Sequence, residues 1–348
     1  MQRTHLRQSP LATRRVTWPA YGRRNAGIKE VASVEVWTTS LHEVLVVWVM
    51  LGMLVVATFV TYAHVPLISL YHVSRTGIAG GASRALVALN FPVAFIAIAV
   101  IGVTIARLFA VPDVLVRRER VAVGILAAVA TTLCVVAVLP GVVKQSNLDA
   151  RPINVLPALG VGIALALTIF AIRRTGLGEA SRWTGGDALR ILIAVAIVVL
   201  ALPWVLADLG VYIADIPGIG GWFMSQERVT SSGLAAVHLG HHHGADGVLF
   251  ALSALLLSRG LGALRTSRLH YPLTIYVALM FVYGLANAAQ DFWGEQLVKR
   301  GTTGWHFPSV LQPALTPAWG LMLVAVGIVT FALLRTEQPR LPAPSSES

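Results

Sequence analysis

Long apolar runs separated by shorter polar segments dominate the pattern of this chain. A helix needs about 20 predominantly apolar residues to cross the bilayer core, and eight windows meet that need. They are residues 44–63, 89–110, 121–143, 153–172, 191–207, 233–258, 272–289 and 318–334. The sixth is the weakest, because only residues 248–257 are continuously apolar. The pattern therefore predicts an all-α, polytopic integral membrane protein with about eight transmembrane helices.

The composition agrees with this prediction. Apolar residues make up 56% of the chain, charged residues only 12%, and the mean hydropathy is +0.72. A soluble domain normally carries about a quarter charged residues, so this chain lacks the charge needed to cover a water-exposed surface. A lipid-exposed surface can be built from it, and the lipid bilayer is its predicted partner.

The distribution of basic residues predicts the orientation of the spans. With the N-terminus inside, twenty of the 27 lysines and arginines lie in segments predicted to face the cytoplasm, and seven lie in segments predicted to face outward. Without the N-terminal tail the ratio is still thirteen to seven. Cytoplasmic loops carry an excess of Lys and Arg, so we expect both termini in the cytoplasm of a multi-pass protein of the cell (plasma or inner) membrane.

Three regions follow from the pattern. Residues 1–40 form a basic tail predicted to be disordered, residues 41–336 form the membrane domain, and residues 337–348 form a short polar tail. The first tail has no apolar h-region and no small-residue cleavage site, so we do not expect a cleaved signal peptide. It either lies near anionic headgroups or reflects a mis-assigned start, with the natural one near Val34.

Charge and cysteine content exclude two classes of function. The net charge of +11 does not indicate nucleic-acid binding, because the basic residues lie between apolar runs and not in one patch. The single cysteine, Cys134, excludes an internal disulfide and a cysteine-rich metal site. We interpret it as a small apolar residue packed between helices.

Candidate chemistry is concentrated at the start of the sixth predicted span. The segment Val-His-Leu-Gly-His-His-His-Gly-Ala-Asp-Gly places four histidines and Asp246 within nine residues. On a helix, His238, His242 and Asp246 share a face, because residues four apart drift by only about 40°. An i, i+4 histidine pair can hold one metal ion, whereas His243 points away from that face.

These residues predict a metal site near the outer face of the membrane. Ionisable side chains at membrane depth are rare, since a central charge costs about 2.5–3.5 kcal/mol on insertion scales. The predicted metal ligands are His238, His241, His242 and Asp246. Imidazole with carboxylate suits Zn, Cu or Fe.

Further polar residues lie in the other predicted outer segments. His64 closes the first span and His72 follows in the first outer loop, and both are candidate cofactor ligands. His64 with one histidine of the sixth span would suit haem b. The outer acids and amides are Asp208, Asp215, Asn287, Gln290, Asp291 and Glu295. The sequence does not show whether these residues meet.

The long outer segments, residues 65–88, 209–232 and 290–317, are rich in Gly, Pro and aromatic residues. We interpret most of those aromatics as an interfacial belt, although long loops on one face often carry function.

Three functions remain open at this point. The first is the metal or haem site, with its reaction unknown. The second is a permease for a small solute or ion that uses the histidines as a protonatable element, and the third is a structural subunit of a larger membrane complex. A solvated, outward-facing histidine segment without a ligand is the simplest alternative. The chain has no phosphate-binding loop, no Gly-x-Ser-x-Gly and no His-Glu-x-x-His, so ATP-driven transport by this chain alone is not expected.

Overall fold

The structure is a computed structural model that describes residues 40–64, 77–139, 150–181, 183–208, 243–298, 301–310 and 313–336. All of them belong to one compact unit, Trp37–Ser348. The predictions for the basic tail, for a start near Val34 and for residues 337–348 concern residues outside this part of the chain, and they stay predictions.

Helices account for the regular structure of the described residues. They are α1 His42–His64, α2 Gly77–Ala88, α3 Ala94–Ala110, α4 Arg117–Val135, α5 Val155–Thr175, α6 Gly185–Asp208, α7 His243–Ser258, α8 His270–Phe292 and α9 Pro317–Thr336. A π-helical turn, Leu89–Val93, joins α2 to α3. The prediction of an all-α fold is therefore confirmed.

Within the described residues, six stretches are long and apolar enough to cross a membrane, as a polytopic membrane protein requires. They are His42–Ala63, Gly77–Ala110, Pro152–Thr175, Gly185–Leu202, His270–Phe292 and Pro317–Arg335. The two other predicted spans coincide with α4, which begins with four charged residues, and with α7, of which 16 residues are described. The count of eight spans stays a prediction.

Helix α2 is the main departure from the predicted pattern. Its residues were expected in an outer loop, but they form a helix that packs against α1. Arg84 and the glycines interrupt the apolar run, which is why a hydropathy window misses this helix. Its passage into α3 is kinked at Phe91 (φ −143°, ψ 120°) and Pro92, since proline has no N–H to donate and its ring displaces the preceding turn.

Helix α3 lies at the centre of the bundle and is buried on almost every side. It runs parallel to α5, because Asn90 and Thr104 contact Asn154 and Thr168, each pair being 64 residues apart. Helix α4 connects these two helices and packs against both. By contrast, α6 and α9 expose large apolar side chains such as Leu192, Val199, Leu321 and Ile328, as expected of helices that face lipid.

Hydrogen bonds identify which helix ends lie together. The Leu41 N–H donates to the Leu177 carbonyl, which brings the start of α1 to the end of α5. Arg174 near the end of α5 pairs with Glu119 at the start of α4. Arg259, just after α7, bonds to residues at the starts of α1 and α6. We call this the Arg259 end of the bundle, and the opposite end, where α7 begins, the Asp246 end.

Candidate functional site

Helix α7 begins at the Asp246 end with His243 and a glycine-rich first turn. Asp246 lies in this turn and is buried, with 8% of its surface exposed. The turn is held by α8, because the Gly244 N–H donates to the Asp291 carboxylate at 2.7 Å. An acceptor at a helix start stabilises the helix, whose first N–H groups have no partner within it.

The close approach of α7 and α8 depends on two glycines. A Cβ on Gly247 would lie 2.5 Å from the Gly284 carbonyl oxygen, and a Cβ on Gly284 would lie 2.5 Å from the Gly247 carbonyl oxygen. The same contact brings Asn287 of α8 against Gly247, at 3.2 Å between the Asn287 Cβ and the glycine's hypothetical Cβ. The backbone approach at this point thus places Asn287 against Gly247, the residue that follows Asp246 in the chain.

Asn287 is itself buried, with 3% exposure. Its amide nitrogen donates to the Tyr283 carbonyl at 2.8 Å, while its side-chain oxygen is buried and accepts no hydrogen bond from the described residues. Such an acceptor costs about 1–3 kcal/mol. Asp246, Asn287 and Asp291 are thus three buried polar residues where the first turn of α7 packs against the last turns of α8, and we call them the outer cluster.

An aromatic group lies beside the outer cluster, toward the middle of the bundle. The Tyr283 ring packs against Phe250 of α7 at 5.6 Å and against Phe91 at 6.5 Å between centroids. Phe91 and Phe250 also meet edge to face at 5.1 Å. This packing places an apolar layer directly below the polar groups, so a ligand at the outer cluster would meet a low-dielectric environment on that side.

Of the other predicted ligands, His64 alone belongs to the described residues. His64 is the last residue of α1, while His72, His238, His241 and His242 lie outside the described residues, as does the predicted shared face of His238 and His242. Within the described part of the chain, no three His, Cys, Asp or Glu side chains are grouped so that they could hold a metal ion. The outer cluster supplies two carboxylates and an amide.

A second polar cluster, which the sequence pattern did not indicate, lies at the Arg259 end. Arg259 pairs with Asp187 of α6 at 3.1 Å and with Glu43 of α1 at 3.3 Å. Its guanidinium also donates to the Ser181 carbonyl, and Arg190 pairs with Asp187 at 3.2 Å. Glu43 and Asp187 are buried, at 5% and 3% exposure. We call these residues the inner cluster.

One signal could have pointed to the inner cluster. The chain has only 16 acidic residues, and Glu43 and Asp187 each lie in the first turn of a long apolar helix. An acid in a first turn stabilises the helix, but next to an apolar span among basic loop residues it also favours a basic partner. The sequence does not say which of the many arginines it would be.

These features place the chain in a class: a polytopic α-helical membrane protein with buried polar clusters at both ends of α7. No protein-family model, no curated protein and no solved structure matches it.

Proposed function

We propose that this chain is an integral protein of the cell membrane that binds a metal ion at the Asp246 end. His238, His241, His242 and Asp246 are the proposed ligands, with Asn287 and Asp291 beside them. The observation that supports this most is the buried side-chain oxygen of Asn287, which has no hydrogen-bond partner among the described residues and whose Cβ lies against Gly247, the residue that follows the buried Asp246. Oxygen acceptors grouped in a buried place favour a positively charged ligand.

The position of the histidine-rich segment adds to this argument. It directly precedes α7 in the chain, so His242 is only four residues from Asp246. Imidazole and carboxylate ligands together suit Zn, Cu or Fe. The Asn287 amide and the Asp291 carboxylate of α8 would orient the ligands. Loss of such orienting groups typically lowers metal affinity by about 10- to 100-fold. The alternative ligand at this end is haem b, which His64 and one histidine before α7 would hold. A cofactor analysis would distinguish haem from a metal ion.

Metal and haem content of the purified protein tests the proposal. We expect about one ion or haem per chain, and near-background content in His242→Ala. His243→Ala is the matched control, because helical spacing turns its ring about 100° from that of His242, and we expect it to retain the ligand. Asp246→Asn should fall between the two. Equal content in both alanine variants, or no metal and no haem in the parent protein, would contradict the proposal.

A permease for a small ion is the second candidate, and a separate observation favours it. Polar side chains occur at three levels along α7: Asp246 at one end, Ser253 in the middle and Arg259 at the other end. The hydroxyl of Ser253 is buried and has no hydrogen-bond partner among the described residues. Buried polar groups within a membrane domain often mark an ion or proton pathway. Proton-coupled uptake in vesicles, lost in Asp246→Asn, would support the permease, and an absence of uptake would exclude it.

A further inference from the structure

A buried arginine on α2 belongs to neither cluster. Arg84 is only 7% exposed, and its guanidinium lies over the Tyr62 ring of α1 at 5.3 Å. Its Nε and Nη1 atoms are buried and have no hydrogen-bond partner among the described residues. Arginine remains charged in proteins, so this side chain places a positive charge with unused donors inside the bundle.

Among the arginines of the described residues that lie over an aromatic ring, Arg84 differs from the others in being buried. Three other guanidiniums also lie over an aromatic ring, at 4.4–5.6 Å, but all three side chains belong to exposed residues. They are Arg120 over Phe109, Arg174 over Phe170 and Arg335 over Phe331. An exposed guanidinium keeps its hydration while its stem covers apolar surface. Arg84 does not have this compensation.

The backbone around Arg84 is held in place by specific contacts. A Cβ on Gly81 would lie 2.5 Å from the Phe59 carbonyl oxygen, so α2 is in backbone contact with α1. Next to Arg84, the Ser83 hydroxyl accepts a hydrogen bond from the Ala150 N–H at 2.8 Å. These contacts fix the depth of Arg84 near the end of α1, two residues before His64 at the level of Tyr62. The guanidinium is therefore positioned, and it cannot reach the Arg259 end.

A ring face alone is a weak partner for such a charge. Removing water from an ion is compensated only by a counter-charge in good geometry, whereas a cation–π contact stabilises much less. A ligand that completes this site must supply negative charge and several acceptor oxygens, because the unused N–H donors are on two different atoms of the guanidinium, Nε and Nη1. Oxyanions of the phosphate type meet both conditions, and arginine is the residue best suited to bind them.

We propose that Arg84 is the anchor of an oxyanion-binding site at the Asp246 end, between α1 and α2, that takes a phosphate group. The group comes either from a free phosphate or from the headgroup of a membrane lipid. The site is separate from the proposed metal site, because it depends on Arg84 and not on the histidines. A negative result for one proposal therefore does not affect the other.

Thermal unfolding of the purified full chain in detergent tests this proposal with two probes. The first is inorganic phosphate and the second is phosphatidylglycerol, with diacylglycerol as the phosphate-free lipid. A ligand that binds only the folded state raises Tm as its concentration passes Kd. We expect one probe to raise Tm of the parent protein by several degrees, and the probe that does so identifies the source of the phosphate group.

Three variants make the test specific. Arg84→Gln should abolish the rise in Tm, and without any probe it should be as stable as the parent protein or more stable, because it removes a buried charge that has no counter-charge among the described residues. Arg84→Lys keeps the charge but loses the planar donor fork, and it should weaken binding by about 10- to 100-fold. Arg120→Gln, which removes an exposed guanidinium over a ring, should respond as the parent does.

Three results would overturn the proposal. The first is no response of the parent protein to either probe. The second is a response to either probe that persists in Arg84→Gln. The third is a lower Tm of Arg84→Gln in the absence of any probe, because that would make Arg84 a structural residue that the fold itself satisfies.

Discussion

Arg259 and Arg174 both pair with carboxylates, but the surroundings of the two pairs differ. The Arg174 and Glu119 side chains are 43% and 33% exposed. The side chains that Arg259 contacts, Glu43 and Asp187, are 6% and 4% exposed. Water screens an exposed pair, so it contributes little, whereas a buried carboxylate that loses its partner keeps its full desolvation penalty.

This contrast predicts the effect of removing each arginine. Arg259→Ala should lower the free energy of unfolding by about 3–5 kcal/mol, because it leaves the buried Glu43 carboxylate without its arginine partner and leaves Asp187 with Arg190 alone. Arg174→Ala, the matched control, should change it by no more than about 1 kcal/mol. Denaturant unfolding in detergent measures both values. Equal losses would show that the inner cluster is as well solvated as the surface pair.

A second lesson at the residue scale concerns Asp246. Helical spacing places it on a face with His242, which is a property of the sequence. The two α8 residues of the outer cluster, Asn287 and Asp291, lie more than 40 residues away from it in the chain. Their position against the first turns of α7 depends on the glycine contact between the two helices. The local half of the candidate site could be predicted, and the half that comes from α8 could not.

At the scale of elements, α7 and α8 form the closest pair of helices around the outer cluster. Gly247 and Gly284 meet through backbone atoms, so no side chain can rotate to relieve a larger residue there. Both glycines lie inside helices, where glycine is otherwise unfavourable. Close packing, and not helix propensity, is the reason for glycine at these positions.

Gly284→Ala should therefore separate the two helices and lower the free energy of unfolding by about 1–3 kcal/mol. Gly162→Ala is the matched control: it lies in α5, where an added Cβ meets nothing within 4 Å. That change should be neutral or stabilising by up to about 1 kcal/mol, because alanine favours a helix. If the site proposed at Asp246 exists, Gly284→Ala should also lower its metal content.

An equal, small effect of the two glycine substitutions would contradict this account of α7 and α8. It would mean that the helices can move apart without loss of packing, and the outer cluster would then not be fixed by their contact.

At the scale of the whole molecule, the contacts at the Arg259 end agree with the alternation predicted from basic residues. The starts of α1, α4 and α6 lie with the ends of α5 and α7, as up-and-down spans require. Many arginines that indicate a cytoplasmic loop also serve as partners there. Arg174 and Arg259 thus favour the predicted orientation by their charge and stabilise the fold by their ion pairs.

Reporter fusions can test the orientation. Fusions after Arg174 and after Arg268 should report the cytoplasm, and fusions near Asp149 and Glu227 should report the outside, because the excess of basic residues stays inside. A cytoplasmic signal from all four fusions is not compatible with eight spans. An external signal from residues 173–190 would overturn both the orientation and the outward position of the histidines.

The sequence by itself determined that this is an all-α membrane protein, and six of its eight predicted spans coincide with the six candidate spans of the described residues. Span prediction works because the length of an apolar run is a local property that is matched to the thickness of the bilayer. Helix α2 escaped it because Arg84 breaks its apolar run. Only the tertiary structure decided that Arg84 is buried, that Asn287 packs against Gly247 in the first turns of α7, and that Glu43 pairs with Arg259 across 216 residues of chain. Such partners are chosen by helix packing, which depends on contacts between distant segments that no window of sequence contains.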